Sequence, residues 1–110
     1  MMNQINSFRG SKGLPSITTN NETCSFAKTR ASEINSSLSH DGFRIRLESN
    51  TLPYPGFSSV AENLAMHYDY QQVVPGWIDS PGHNENLLKD VSFACVERNG
   101  NLFVYEAWRP

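Results

Sequence analysis

The clearest periodic signal in the chain lies between residues 22 and 37, where Cys24, Ala27, Ala31, Ile34 and Leu38 recur at spacings of 3, 4, 3 and 4. Spacings that alternate in this way fall on one side of a 3.6-residue turn, so the stretch predicts a helix with a single apolar stripe. The small residues in the middle of the stripe allow close approach to another layer, and the preceding Asn-Asn-Glu-Thr run supplies N-capping residues. A shorter helix is predicted over residues 3–12, with Ile5 and Phe8 three apart and Gly13 ending it. Period two takes over at residues 43–48, where Phe43, Ile45 and Leu47 share a face, and predicts a short strand. Residues 50–59 form a Pro/Gly loop, and residues 60–66 read equally as a short buried strand or one helical turn. Asp69 is a candidate N-cap for a helix through residues 70–80, in which Pro75 predicts a kink or a late start. At the C-terminus, residues 91–97 and 102–108 flank Asn99-Gly100 and predict a hairpin closed by that pair. Val96 would then face Phe103, Cys95 would face Val104, and Ala94 would face Tyr105. Helix, helix, possible strand, helix and hairpin in that order predict an α+β fold, an antiparallel or mixed sheet with helices packed on it.

Composition narrows the class. A chain of 110 residues with 38% hydrophobic and 18% charged residues is one ordinary globular domain, residues 1–110. The net charge of −2 and the lack of a basic face argue against a nucleic-acid partner. No apolar run approaches the ~18 residues of a membrane span. The first ten residues carry no apolar signal core, which leaves open a cytosolic chain and one relieved of a leader. The two cysteines, Cys24 and Cys95, match no zinc-finger or redox spacing. They read as two buried thiols or as one disulfide of an extracytoplasmic protein.

Few residues carry chemistry. His67 has no special context and reads as solvated or structural. His40 and His83 both sit in turns, Ser-His-Asp-Gly and Pro-Gly-His-Asn, where a fixed backbone aims an imidazole at small entropic cost. Glu62 is flanked by Val60, Ala61, Leu64 and Ala65, and a carboxylate there is costly to bury unless paired. Two imidazoles and a carboxylate are also the ligand types of a catalytic zinc site with one open position. No G-x-S-x-G elbow and no phosphate-binding glycine loop are present. The cysteines fall on apolar positions that suit packing better than a reactive thiolate. Trp77 and Trp108 read as core or edge aromatics.

Several segments together resemble one family. "INSFRGSKGLPSI" is similar to a first helix and its exit, "CSFAKTRASEI" to a second helix, "SHDGF" to a first histidine motif, and "AENLA" to a "GENLA" motif. "GWIDSPGHNENLL" resembles a bacterial "W..SPGHR.NIL" signature, and "FACVERNGNLFVYEAW" fits a terminal hairpin. In this order, over nearly the whole chain, they resemble the CAP superfamily, or SCP domain, in its small bacterial branch. The resemblance implies an α-β-α sandwich with His40, Glu62 and His83 converging in one cleft. Its second glutamate is replaced here by Ser80, and Ala61 stands where glycine is usual, departures that weaken the metal affinity the cleft would have. The expected function is that of an extracellular or cell-surface, non-enzymatic module binding an unknown small molecule or a cell-wall or surface ligand. A metal-dependent hydrolase using His40, Glu62 and His83, and a structural interaction module, are the alternatives. No cofactor is required, although zinc or another divalent cation could sit on His40, Glu62 and His83, and a monomer is expected. If the stripe of the second helix packs on the hairpin face carrying Phe93, Cys95 and Val104, Cys24 and Cys95 meet as a disulfide.

Overall fold

The computed structural model describes all 110 residues. In chain order it contains α1 (Met2–Ser11), α2 (Asn21–Glu33), α3 (Asp41–Glu48), β1 (Ser59–Met66), a 3-10 turn (Tyr70–Gln72), α4 (Val73–Asp79), α5 (Pro81–Leu87), β2 (Phe93–Asn99) and β3 (Leu102–Arg109). The strands form one antiparallel sheet in the order β1-β3-β2.

Strand alternation sends residues to two separately packed layers. Ala61, Ala94, Phe103, Tyr105 and Ala107 meet Ile5 of α1, Val73, Val74 and Trp77 of α4, and Leu87 of α5. On the other face Leu64, Cys95 and Val104 meet Ala27 and Ala31 of α2, while Trp108 joins Phe26 and Tyr54. The molecule is thus an α-β-α sandwich. Trp77 and Trp108 are both core residues, and Trp108 stacks on Tyr54 with ring centroids 5.0 Å apart.

Residues 60–66 resolve as a strand, and both faces of that strand are covered. Its sequence is therefore a nearly unbroken buried run rather than an alternating one. Because β1 is an edge strand, its outward carbonyls need partners. They receive them from side chains: Trp77 Nε1 donates to Leu64 O (3.1 Å), Asn86 Nδ2 to Glu62 O (3.3 Å) and Lys89 Nζ to Val60 O (3.1 Å).

Three sequence expectations are corrected. Residues 43–48 are not a strand but belong to α3. The half-buried residues there are Gly42, Phe43 and Arg46, a helical spacing, while Ile45 and Leu47 of the apparent stripe are exposed. Arg46 reaches α2 through Glu33 (2.6 Å) and lies over the Phe26 ring, and Arg44 pairs with Asp41 and Glu48 along the helix. The second helix ends at Glu33 rather than residue 37, because Ile34 is extended and Asn35 turns the chain by accepting from Ser37 N. The hairpin closes through Gly100-Asn101, not Asn99-Gly100. Gly100 takes the positive φ (61°) required at the first central position of a type II′ turn, and Val96 consequently pairs with Tyr105 and Cys95 with Glu106. That slip of two residues leaves every side chain on its expected face.

Candidate functional site

Glu62 lies on the α2 face of the central stretch of β1, and its side chain is almost completely buried. Its countercharge comes from α2. Arg30, on the side of that helix turned to the sheet, sets a two-pronged fork on the carboxylate, with Nε 2.9 Å from Oε2 and Nη2 3.1 Å from Oε1. The guanidinium also donates to Glu33 Oε1 (2.9 Å) and to the Ser39 carbonyl (2.9 Å). Burial alone would lower the Arg30 guanidinium, but its hydrogen bonds to Glu62 and Glu33 outweigh it and hold the group above its ordinary value.

His40 stands at the N-terminal boundary of α3 without using its side chain as a cap, which leaves the imidazole free to reach inward. Its Nδ1 is 2.8 Å from Glu62 Oε1, while half of the side chain remains exposed. Burial would raise the Glu62 carboxyl. The bonds from His40 and Arg30 and the charge of Arg30 bring it down to about 2, so it is ionised and accepts only. An imidazole that is neutral here must carry its hydrogen on Nδ1, facing that acceptor, which leaves Nε2 as the bare nitrogen.

Behind Glu62, directly opposite it in the β1–β3 pairing, lies Glu106. It is fully buried, accepts from Tyr54 Oη (2.8 Å) on one oxygen and receives no hydrogen bond on the other. Burial, first, and the charge of the adjacent Glu62 push Glu106 well above the carboxylate range. One proton thus stays in the pair, on Glu106, as like charges in contact require. The sign of the linkage follows. Above about pH 4.5 the unfolded chain ionises this residue while the folded chain does not, so stability falls as pH rises, with a limiting slope of about 1.4 kcal/mol per unit. Glu106→Gln is expected to remove that slope, so that the variant gains on wild type between pH 5 and pH 7. Urea midpoints of the two proteins at pH 5 and pH 7 check it, and an equal difference at both values would disprove the assignment of the proton.

His83 is the third residue of α5 rather than the end of a turn. Pro81 starts that helix, where its missing N–H costs nothing, and Ser80 precedes it as N-cap. The His83 carbonyl accepts from Asn63 Nδ2 (3.1 Å), and Asn86 Nδ2 donates to Asn63 Oδ1 (2.9 Å), tying α5 to β1. Burial and then the charge of His40 push the His83 imidazole below its ordinary value, so it is neutral at pH 7. His67 is exposed and accepts from Asp69 N (2.9 Å).

The sequence expected His40, Glu62 and His83 in one cleft; along β1 lie two adjoining hollows, close enough that the charge of His40 acts on His83. His40 and Glu62 line one of about 360 Å³ with Phe43, Val60, Asn86 and Lys89. His83 and Ser80 line the other, about 320 Å³, with Leu38, Leu64, Val73 and Trp77. His40 and Glu62 are in contact, and His83 faces a different hollow. No group of three or more His, Cys, Asp or Glu side chains is clustered so as to hold a metal ion. Both Glu62 oxygens are already engaged by Arg30, and one also by His40, so the donor set in this arrangement does not fit the expected three-ligand metal. Sequence reasoning passed over Arg30, Tyr54 and Glu106. Arg30 flanks the Ala27–Ala31 stripe at helical spacing, which was a readable signal of an inward cation.

A sheet clasped between helices, with an imidazole–carboxylate pair where α2, α3 and β1 meet, defines a small SCP-type domain. The sequence profile of the cysteine-rich secretory protein family, CAP, matches residues 2–105, and the chain belongs to that family. An extracellular protein containing an SCP domain from Bacillus anthracis superposes with a TM-score of 0.81 at 23% identity, over 96% of this chain and 38% of its own. A cysteine-rich secretory protein from Staphylococcus aureus gives 0.79 at 20% identity, over 99% and 36%. An outer surface protein from Borrelia burgdorferi gives 0.68 at 18% identity, over 98% and 88%. This chain therefore spans little more than a third of the first two, and at these identities the likeness is one of fold. No protein of curated function matches the chain in sequence.

Proposed function

We propose that this domain is a binding module that works outside the cytosol and takes a small-molecule, cell-wall or surface ligand without turning it over. The observation that carries the reading is the hollow beside α5, where Leu38, Leu64 and Trp77 offer apolar walls and the neutral His83 with Ser80 offers hydrogen bonds at one end. Apolar walls with few convergent polar groups are the usual make-up of a ligand site. His40 and Glu62 on the adjoining hollow add a second polar anchor, 2.8 Å from each other and fixed from behind by Arg30. An extracytoplasmic setting is supported by the Cys24–Cys95 disulfide and by the extracellular and outer-surface descriptions of structures that share the fold.

Amide spectra recorded with soluble peptidoglycan fragments and with a small-molecule fragment library test it. Shifts centred on Ser80, His83 and the Trp77 indole N–H, weakened about tenfold or more by His83→Ala, are expected. Shifts centred elsewhere would refute the site. A hydrolase is the second reading, favoured by the His40–Glu62 bond, which orients the bare Nε2 as a general base would be oriented. Turnover of casein or a p-nitrophenyl ester, abolished by His40→Ala or His83→Ala, would establish it in place of the first.

A further inference from the structure

We propose that the Arg30 guanidinium is the resident cation of the cleft, standing at Glu62 where a divalent metal would stand, and that Glu62, Glu106 and His40 form a latent divalent-cation site which opens only when Arg30 is removed. The inference is independent of what the groove binds.

The geometry supplies the reasons. Arg30 covers both oxygens of Glu62 at 2.9 and 3.1 Å, and both side chains are only 1% exposed, so the fork is dry and competes with no water. Four of the five guanidinium N–H groups are engaged, which fixes the group in place and leaves little of it to follow an incoming ligand. The surroundings are shaped to it. Gly42, at the start of α3, passes so close that a Cβ there would meet the Arg30 guanidinium and lie 2.6 Å from Glu33 Oε1. Charge closes the case. Arg30 and Arg46 carry two positive charges and Glu33 and Glu62 two negative ones, joined by bonds of 2.6–2.9 Å. The quartet is neutral, so a further cation would meet Arg30 as a like charge and no spare anion to offset it. With the guanidinium gone, the balance reverses. Glu62 is left with an empty side, Glu106 lies against it with an oxygen that no donor reaches, and His40 is already bonded to it. Two carboxylates and an imidazole are a zinc ligand set.

Zinc is the probe. In the wild-type protein the Arg30 Nε–H resonance, sheltered by its bond to Glu62 Oε2, is expected to stay in place through a zinc titration, whatever zinc does at the exposed imidazoles. Loss or displacement of that resonance in step with zinc uptake would overturn the proposal with no variant needed. Calorimetry supplies the second arm. Arg30→Gln, its fold checked by circular dichroism, is expected to bind one zinc at least about tenfold more tightly than wild type, and Arg30→Gln/Glu62→Gln to lose that gain. A folded Arg30→Gln with no gain would overturn the proposal. If Arg30→Gln does not fold, the wild-type resonance together with Glu62→Gln decides. An unchanged zinc affinity in Glu62→Gln supports the resident guanidinium, and a loss of about tenfold or more overturns it.

Discussion

Replacing Cys24 and Cys95 together by alanine is expected to lower the free energy of unfolding by about 4 kcal/mol. The bond joins α2 to β2 across 71 residues of chain, a long loop, and in the chain-entropy account the entropy it removes from the unfolded chain grows with loop length. The layer it ties supports a large value, because what lies between α2 and the sheet there is thin: two alanines, Ile34, Leu64, Val104 and the half-cystine itself. Small side chains bury little apolar area, so packing has little reserve to take over. A domain of this size has only some 5–15 kcal/mol in all. The melting temperature should therefore fall by roughly 15–30 °C, and wild type with reductant should melt with the double variant. Thermal and urea unfolding of both check this. A loss below about 1 kcal/mol would mean that the α2 layer is held by packing alone.

The same bond shows how far the sequence could be read. The stripe on α2 and the period-two pattern of the hairpin each define a face without any knowledge of the partner, and two faces suffice to bring Cys24 to Cys95. The hairpin register could be misplaced by two residues without harm, since a shift of two keeps each residue on its side of the sheet. Residues 43–48 failed for a related reason. Alternation measures which residues are apolar, not which are covered, and in α3 the inward positions are held by Gly42, Phe43 and Arg46, two of which a hydropathy pattern reads as polar or neutral. The end of α2 was misjudged because Ile34 and Leu38 continue the stripe in sequence after the helix has stopped. Ile34 still packs against the sheet and Leu38 against the edge of the same cluster, so the apolar signal outlasts the helix.

The site was legible in its members and not in its wiring. Glu62 stood out because a carboxylate in an apolar run demands a partner, and His40 is one of those it found. The larger partner, Arg30, lies 32 residues away on another layer, and only the packing of α2 on β1 brings it there. Glu106 was hidden by the register, since its significance rests on standing opposite Glu62. Arg9 is a parallel case outside the site. It is buried and donates to the carbonyls of Leu87 (3.0 Å) and Lys89 (2.7 Å), closing the C-terminal end of α5, a role that no local pattern announces.

Arg30→Met is expected to destabilise the protein by about 3–5 kcal/mol at pH 7, the usual cost of leaving one member of a buried ion pair alone. The dependence on pH identifies the cause. In wild type the Glu62 carboxyl is held at about 2 against an ordinary 4.5, so its pairing contributes fully above 4.5 and the contribution is lost as pH falls through about 2. Without the guanidinium, burial dominates and Glu62 rises, and the variant escapes part of its penalty by taking up a proton. The gap between wild type and Arg30→Met should therefore be widest near neutrality and should narrow by about pH 3. Urea unfolding at the two pH values measures it. A gap of the same size at both would assign the loss to the buried stem of Arg30 rather than to its charge. A second variant separates the two further: Arg30→Met/Glu62→Leu removes the stranded carboxylate and should recover most of the loss at pH 7, because replacing both members of a buried pair by apolar groups is often neutral. Failure of the double variant to recover would mean that His40, which loses its hydrogen-bond partner with Glu62, and Glu106, which loses its neighbour across the sheet, carry more of the layer's stability than Arg30 does.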